Sequence, residues 1–100
     1  MKRLDKEIVR KGFTYIQHWR DEGYAIYKVV KNGKLRGYEV FKINRHNGYV
    51  IAGNTIPPAE SYPSDNSFGI TSYYCKTLER AEIRLEELKD KELRGKEKDK

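Results

Sequence analysis

Apolar and polar residues alternate with a period of two through much of the first 45 residues, the pattern of strands in a half-buried β-sheet. The strongest runs are 13–19 (FTYIQHW), 24–31 (YAIYKVVK) and 35–44 (LRGYEVFKIN). Turn-forming stretches separate them at 20–23 (RDEG) and 32–34 (NGK). The Asn-Gly pair accepts the positive φ angles of a tight hairpin. The pattern therefore predicts three antiparallel strands connected as a meander.

The segments on either side of this meander give weaker signals. Leu4 and Ile8 are spaced for a short helix, whereas Ile8 and Val9 would equally lead into a strand, so both interpretations stay open. Residues 49–53 (YVIAG) predict a short fourth strand. Gly37 lies inside the third strand, where a glycine is typical of a β-bulge.

The C-terminal quarter changes to the period of an α-helix. Thr77 is placed to cap the first helical turn through its hydroxyl group. The apolar residues that follow are spaced three, four and three apart, as one stripe on a helix: Leu78, Ala81, Leu85 and Leu88. We therefore expect a helix whose apolar stripe packs on the sheet.

Strands followed by one helix predict an α+β fold, an antiparallel sheet of three to five strands packed by one long C-terminal helix. A chain of 100 residues supports a single core, so residues 1–94 are expected to form one domain. Residues 95–100, which are almost all charged, are predicted to be a flexible polar tail.

Charge is distributed unevenly along the chain, which has a net charge of +6 and is 36% Asp, Glu, Lys and Arg. Residues 1–45 carry 12 basic and 5 acidic residues, and residues 76–100 carry 9 and 8. Residues 46–75 contain no Lys or Arg, and their acidic residues are Glu60 and Asp65. The basic excess therefore lies in the N-terminal half, next to a segment almost without charge.

Residues 52–69 of this charge-poor segment are predicted to form a long uncharged loop, longer than loops usually are in compact domains. Ile56, Tyr62 and Phe68 give the loop large apolar side chains. The favoured interpretation is a cover for the second face of the sheet. The alternative is a partner-binding surface, because interface centres lose charge and gain aromatic residues. Both hold if Ile56 and Phe68 point inward while Tyr62 points outward.

Templates for catalysis fit the sequence poorly, and no enzymatic activity is expected. His18, His46 and the single Cys75 match no zinc-binding spacing, so neither a metal nor a cofactor is expected. A nucleophile pair of Cys75 with His46 remains open. Residues 23–40 resemble the opening hairpin of GIY-YIG endonucleases, but the second triplet of that family is missing.

The chain has no apolar run approaching the roughly 18–20 residues of a membrane helix, and its N-terminus has no apolar core of a secretion signal. A single cysteine fits a reducing compartment. These features predict a soluble, cytoplasmic protein with no membrane partner.

The order of motifs in residues 37–81 resembles a recurrent type of small phage and mobile-element protein. It joins a strand rich in Val, Phe and Ile to a YPSD-x-x-FG loop, and an aromatic strand to a TLE-x-A helix start. The resemblance implies a class of small accessory proteins that bind a host or phage macromolecule, anti-CRISPR proteins among them. It carries over no catalytic residues.

The first functional hypothesis is therefore a non-enzymatic binding protein, a phage-derived inhibitor or modulator of a host protein or ribonucleoprotein complex. Its contact residues would be aromatic: Tyr62, Phe68, Tyr73 and Tyr74. The alternative is a nucleic-acid-binding accessory protein, with exposed tyrosines as stacking platforms. Its phosphate contacts would come from the basic residues of the first hairpin: Lys28, Lys31, Lys34, Arg36 and Lys42.

Overall fold

Nine short strands precede one long helix in the part of the chain that the structure, a computed structural model, describes. That part is residues 2–63 and 72–98, with side chains up to Lys91. In chain order the elements are β1 (Glu7–Arg10), β2 (Phe13–Arg20), β3 (Tyr24–Lys31), β4 (Lys34–Lys42), β5 (Asn44–His46), β6 (Tyr49–Ile51), β7 (Asn54–Ile56), β8 (Ala59–Ser61), β9 (Ser72–Cys75) and α1 (Leu78–Lys98). The helix therefore continues to Lys98, into residues 95–100, for which the sequence predicts a polar tail.

The main sheet has five antiparallel strands in the order β1-β2-β3-β4-β9, and α1 packs on one of its faces. This confirms the predicted α+β class and the meander. The hairpin turn between β3 and β4 is Asn32-Gly33, with φ angles of 53° and 75°. Lys11-Gly12, with φ angles of 52° and 81°, makes an equivalent turn between β1 and β2. Of the two interpretations of the N-terminal segment, the strand is correct.

Gly37 marks a bulge, as predicted. Val29 pairs with Gly37 and Val30 with Leu35, so Arg36 is the extra residue of β4. A Cβ atom on Gly37 would lie 2.6 Å from both the carbonyl oxygen of Cys75 and the hydroxyl of Tyr74. Glycine is therefore required there because β9 approaches β4 too closely for a side chain.

The helix-side core forms between α1 and the centre of the sheet. Ile26, Val40 and Cys75 from the strands pack against Ala81 and Leu85 of the helix. The cap is formed as predicted, because the backbone N–H of Arg80 donates to the hydroxyl oxygen of Thr77 at 3.2 Å.

A second core covers the opposite face of the sheet. Its buried members are Leu4, Ala25, Tyr27, Phe41 and Ile43. The N-terminal segment and Tyr62 cover this core on the side away from the sheet, since Leu4 is buried and Tyr62 packs against the cluster. A helix on one face and irregular chain on the other therefore bury the sheet on both sides.

The predicted loop of residues 52–69 is wrong for its first ten residues, which contain β7 and β8. β6 pairs with β7, and β5 pairs with β8, in two additional two-stranded sheets. The reversal occurs at Ala52-Gly53, whose φ angles of 50° and 81° are those of a two-residue hairpin turn. Alanine is an unusual residue at a positive φ angle, so Ala52-Gly53 is not a clear turn signal.

Replacing Gly37 by alanine should destabilise the fold, because the new methyl group would collide with the backbone of β9. We expect the free energy of unfolding to fall by about 1–3 kcal/mol, as for other overpacked sites, measured by urea denaturation. Gly23→Ala is the matched control, since a Cβ there meets no atom within 4 Å. Equal denaturation midpoints for the two variants would contradict the close approach of β9 to β4.

Candidate binding surfaces

An exposed hairpin without charged residues projects from the described part of the fold. We call residues 49–56, which form β6, its turn and β7, the uncharged hairpin. Tyr49, Val50 and Ile51 are 48%, 68% and 57% exposed. Neighbouring residues of a strand point to opposite faces, so this hairpin exposes apolar side chains on both of its faces.

The exposure of this hairpin is physically unusual for a protein so rich in charge. A two-stranded hairpin is marginally stable by itself in water. Among the described strands, β6 and β7 pair only with each other, so their outer edges carry no further strand. Three consecutive large apolar residues on such an element form the kind of patch that marks contact surfaces.

The base of the uncharged hairpin is held by specific contacts. The rings of His46 and Tyr49 lie 5.2 Å apart, centroid to centroid. The backbone N–H of Gly48 donates to Nδ1 of His46 at 3.2 Å. Gly48 has a φ angle of 92°, and a Cβ there would lie 2.8 Å from the carbonyl oxygen of Ile56. Its base is therefore tightly packed, whereas its β6 side chains are open to solvent.

Glu60 in β8 anchors the two-stranded sheet from which the hairpin emerges. Its side chain is only 3% exposed. Arg20 of β2 donates to both of its carboxylate oxygens, at 2.6 and 2.9 Å. Arg45 of β5 donates to one of them at 2.9 Å and also to the carbonyl oxygen of Glu22. The backbone N–H of Leu4 donates to the other oxygen at 3.0 Å.

These donors explain the electrostatics of the anchor. The hydrogen bonds from Arg20, followed by those from Leu4 and Arg45, outweigh the effect of burial and lower the pKa of Glu60 to about 2. The carboxylate is thus ionised at any pH at which the protein is ordinarily handled. The sequence shows Glu60 as an isolated acid in an uncharged segment, but not its two arginine partners.

Tyr62, predicted to point outward as a contact residue, instead points into the core. Its ring lies 4.6 Å from that of Phe41, 5.2 Å from Tyr15 and 5.4 Å from Tyr27. The hydroxyl is buried and has no hydrogen-bond partner among the described residues. Burial, together with the nearby charge of Glu39, raises its pKa. Tyr62 points inward because β8 pairs with β5, which places the residue after β8 against the main sheet.

Tyr73 and Tyr74, also predicted as aromatic contact residues, do not lie on one face of the sheet. Tyr73 and Tyr74 are neighbours in β9 and therefore point to opposite faces. Tyr73 lies under the guanidinium of Arg84, 4.7 Å from its ring centroid. Tyr74 is 48% exposed, and its hydroxyl donates to the carbonyl oxygen of Arg36 at 2.6 Å. Phe68 lies outside the described residues.

The five basic residues proposed for nucleic-acid binding divide between two regions. Lys28 and Lys42 follow Ile26 and Val40 by two positions, which places them on the face that α1 partly covers. The others lie at the end of the sheet that carries the β3–β4 turn, and they are exposed: Lys31, Lys34 and Arg36. A single basic surface made of all five is therefore not formed.

The residues considered for catalysis lie apart in the fold. Cys75 is 8% exposed in the helix-side core, and burial raises the pKa of its thiol. His46 lies in β5, in a different sheet, and His18 packs edge-on against Tyr38 at 5.9 Å. Within residues 2–63 and 72–98, no group of three His, Cys, Asp or Glu side chains is arranged to hold a metal ion.

Comparisons of the whole chain with known proteins add no functional assignment. Searches against protein-family models, curated protein sequences and solved structures found no match. In the described part of the chain, no helix is both long and apolar enough to cross a membrane. The resemblance of residues 37–81 to phage and mobile-element proteins therefore stays a prediction.

The thiol of Cys75 should react slowly with a thiol reagent such as Ellman's reagent in the native protein. Burial limits access and raises the pKa of the thiol, so the thiolate fraction at pH 8 is below that of a free cysteine. The control is the same protein in urea, where labelling should be fast. Native labelling as fast as in urea would contradict the buried position and would revive the nucleophile hypothesis.

Glu60→Gln should strongly destabilise the protein, because two arginines would lose the carboxylate that compensates their charge. Removing one partner of a buried ion pair typically costs about 3–5 kcal/mol; we expect about 3, since Arg45 is still 33% exposed. Glu22→Gln is the matched control, since its pair with Arg3 is exposed and should contribute less than about 1 kcal/mol.

The pH dependence provides a separate test of the same anchor. The pKa of Glu60 is lowered on folding from 4.5 to about 2, so its ionisation stabilises the fold above pH 4.5. This contribution is lost as the pH falls from 4.5 towards 2. The difference in unfolding free energy between wild type and Glu60→Gln should therefore shrink over that interval. A difference independent of pH would mean that the carboxylate charge is not the source of stability.

Proposed function

We propose that this protein works by binding another macromolecule and not by catalysing a reaction. The single observation that carries the proposal is the uncharged hairpin, which exposes Tyr49, Val50 and Ile51 together. The partner is a protein, of host or phage origin, alone or within a ribonucleoprotein complex. The resemblance of residues 37–81 to phage accessory proteins supports a role as inhibitor or modulator of that complex, similar to anti-CRISPR proteins.

Apolar burial would supply the binding energy of such a contact. Complete burial of a Val or Ile side chain is worth about 1.5–3 kcal/mol. Since Val50 and Ile51 are 68% and 57% exposed, their burial by a partner would contribute about 1–2 kcal/mol each. Tyr49 combines a large apolar ring with a polar tip and is of a residue type enriched in binding hot spots. A protein surface with an apolar cleft is the complement of such a hairpin.

The hairpin also offers its backbone to a partner. The outer edges of β6 and β7 carry N–H and C=O groups, which a strand of another protein would pair with as in β-strand addition. Strand pairing gives affinity, and the alternating side chains give specificity. The absence of Lys, Arg, Asp and Glu from residues 46–59 means that no charged side chain of this stretch must be desolvated on docking.

Val50→Asp should abolish this binding, because a carboxylate would be buried at the centre of the contact. The measurement is affinity capture from a nuclease-treated lysate of the organism that encodes the protein, with quantitative mass spectrometry. Ile83→Asp is the matched control, since Ile83 is 54% exposed but lies on α1. We expect wild type and Ile83→Asp to capture the same proteins and Val50→Asp to lose them.

Two results would contradict the proposal. If folded Val50→Asp, checked by circular dichroism, captured the same proteins as wild type, the hairpin would not be the contact surface. If capture by wild type disappeared on nuclease treatment, nucleic acid would be bridging the captured proteins, and a direct protein partner would be wrong.

A further inference from the structure

Basic residues gather at the end of the five-stranded sheet where the β1–β2 and β3–β4 turns lie. Both turns belong to two-residue hairpins of the same meander, so they lie at the same end. β9 also runs to this end, since Cys75 pairs with Tyr38 and Lys76 follows it. We call this region the basic end; its basic residues are Arg10, Lys11, Lys31, Lys34, Arg36 and Lys76.

Aromatic rings lie among these cations around one cavity. The cavity has a volume of about 440 Å³, and its walls include Phe13, Tyr15 and Tyr74 together with Lys31 and Arg36. This volume lies in the usual range of about 300–1,000 Å³ for small-molecule sites. The cavity is on the face of the sheet opposite α1, because Val29 follows Tyr27 of the second core by two positions and Tyr15 pairs with Val29.

Phe13 is held beside a positive charge, and Tyr74 is fixed to the backbone of a basic residue. The ammonium of Lys31 lies 5.0 Å from the ring centroid of Phe13. The hydroxyl of Tyr74 donates to the carbonyl oxygen of Arg36, which fixes that ring next to the bulge of β4. The missing side chain of Gly37 makes room for it, since a Cβ would lie 2.6 Å from the Tyr74 hydroxyl. The bulge therefore positions an arginine and an exposed ring together.

A buried carboxylate restricts what the cavity accepts. Glu39 is 4% exposed and forms part of the wall, with one oxygen accepting a hydrogen bond from the hydroxyl of Ser72 at 3.1 Å. The acceptor oxygens of this carboxyl group make the interior unfavourable for an anion. A ligand with a neutral planar part and a negatively charged backbone would place the planar part inside and the charge at the rim.

We infer that the basic end binds single-stranded nucleic acid. Bases stack on Phe13 and Tyr74, and phosphates contact Lys31, Lys34 and Arg36 at the rim. Single strands are favoured over duplexes because stacking on protein rings requires bases that are not paired and stacked with each other. Rings interleaved with cations also distinguish this surface from a purely electrostatic one, which would suit any acidic polymer. The inference is independent of the proposed function, since it uses neither β6 nor β7.

Fluorescence anisotropy with labelled 20-nucleotide oligothymidylate and oligouridylate tests the inference on the full chain. Three phosphate contacts predict that log K falls with log salt concentration with a slope of about −2, from about −0.7 per contact on single strands. A duplex of 20 base pairs and polyglutamate of similar length serve as competitors. We expect both to compete at least tenfold more weakly than an unlabelled single strand.

Charge variants locate the site. Lys31→Gln with Arg36→Gln should weaken binding and reduce the salt slope by about 1.4, the value for two lost contacts. Lys28→Gln with Lys42→Gln is the matched control, with the same change in net charge on the α1 side of the sheet. An equal loss in both double variants would show non-specific attraction by net charge and would overturn the assignment to the basic end.

Ring variants test stacking separately from charge. Tyr74→Ala should weaken binding about tenfold or more, as for other rings that stack on bases. Tyr74→Phe keeps the ring and removes only its hydrogen bond to the Arg36 carbonyl oxygen, so it should bind much more tightly than Tyr74→Ala. If Tyr74→Ala fails to fold, Phe13→Leu tests the other ring with the same expectation.

Several results would overturn the inference. They are absence of binding to both oligonucleotides at about 50 mM salt, equal competition by duplex or polyglutamate, and wild-type binding by folded Tyr74→Ala or by Phe13→Leu. Val50→Asp should bind the oligonucleotides normally. Failure of the inference and failure of the proposed protein contact are therefore distinguishable in the same set of variants.

Discussion

The buried carboxylate of Glu60 is the interaction on which the arrangement of this protein depends. It joins the N-terminal segment through Leu4, the main sheet through Arg20, and β5 through Arg45. β5 and β8 are the two strands from which the uncharged hairpin emerges, so the same carboxylate fixes the base of that hairpin. Removing a charge from water costs free energy. A buried Glu60 without its partners would therefore destabilise the fold more than an apolar residue at the same position. The ionised carboxylate is stable in this buried position because three residues donate hydrogen bonds to it.

The charge-poor segment has a buried part and an exposed part, and burial explains only the first. Tyr62 lies in a core formed with Tyr15, Tyr27 and Phe41, where a charged neighbour would have to be desolvated. The uncharged hairpin, by contrast, is exposed, and packing within the described residues does not require it to be apolar. The proposed contact with a partner protein would account for its composition, which is the reason to assign binding to it and not to Tyr62.

Local signals were sufficient to predict most of the fold. Asn32-Gly33, the alternation in β2 to β4, the Thr77 cap and the apolar stripe of α1 each act within a few residues. The strand β6 was predicted, but its pairing with β7 was missed because the turn between them uses Ala52 at a positive φ angle, which no propensity favours. Tyr62 was misjudged, and the role of Glu60 was not predicted, for another reason. Their directions follow from the pairing of β5 with β8 and from Arg20, 40 positions away, which a pattern of neighbours does not contain.

The two candidate surfaces lie towards opposite ends of β4. The basic end adjoins its first residues, and the uncharged hairpin follows β5, which begins two residues after its last. Nine residues of strand separate the two regions by about 30 Å, at about 3.4 Å a residue. The Debye length at physiological ionic strength is about 8 Å. The electrostatic potential of the basic end is therefore largely screened at the distance of the hairpin. A protein bound at one end and a nucleic-acid strand at the other would therefore neither compete for surface nor share a salt dependence. One rigid sheet could thus connect two partners of different chemistry.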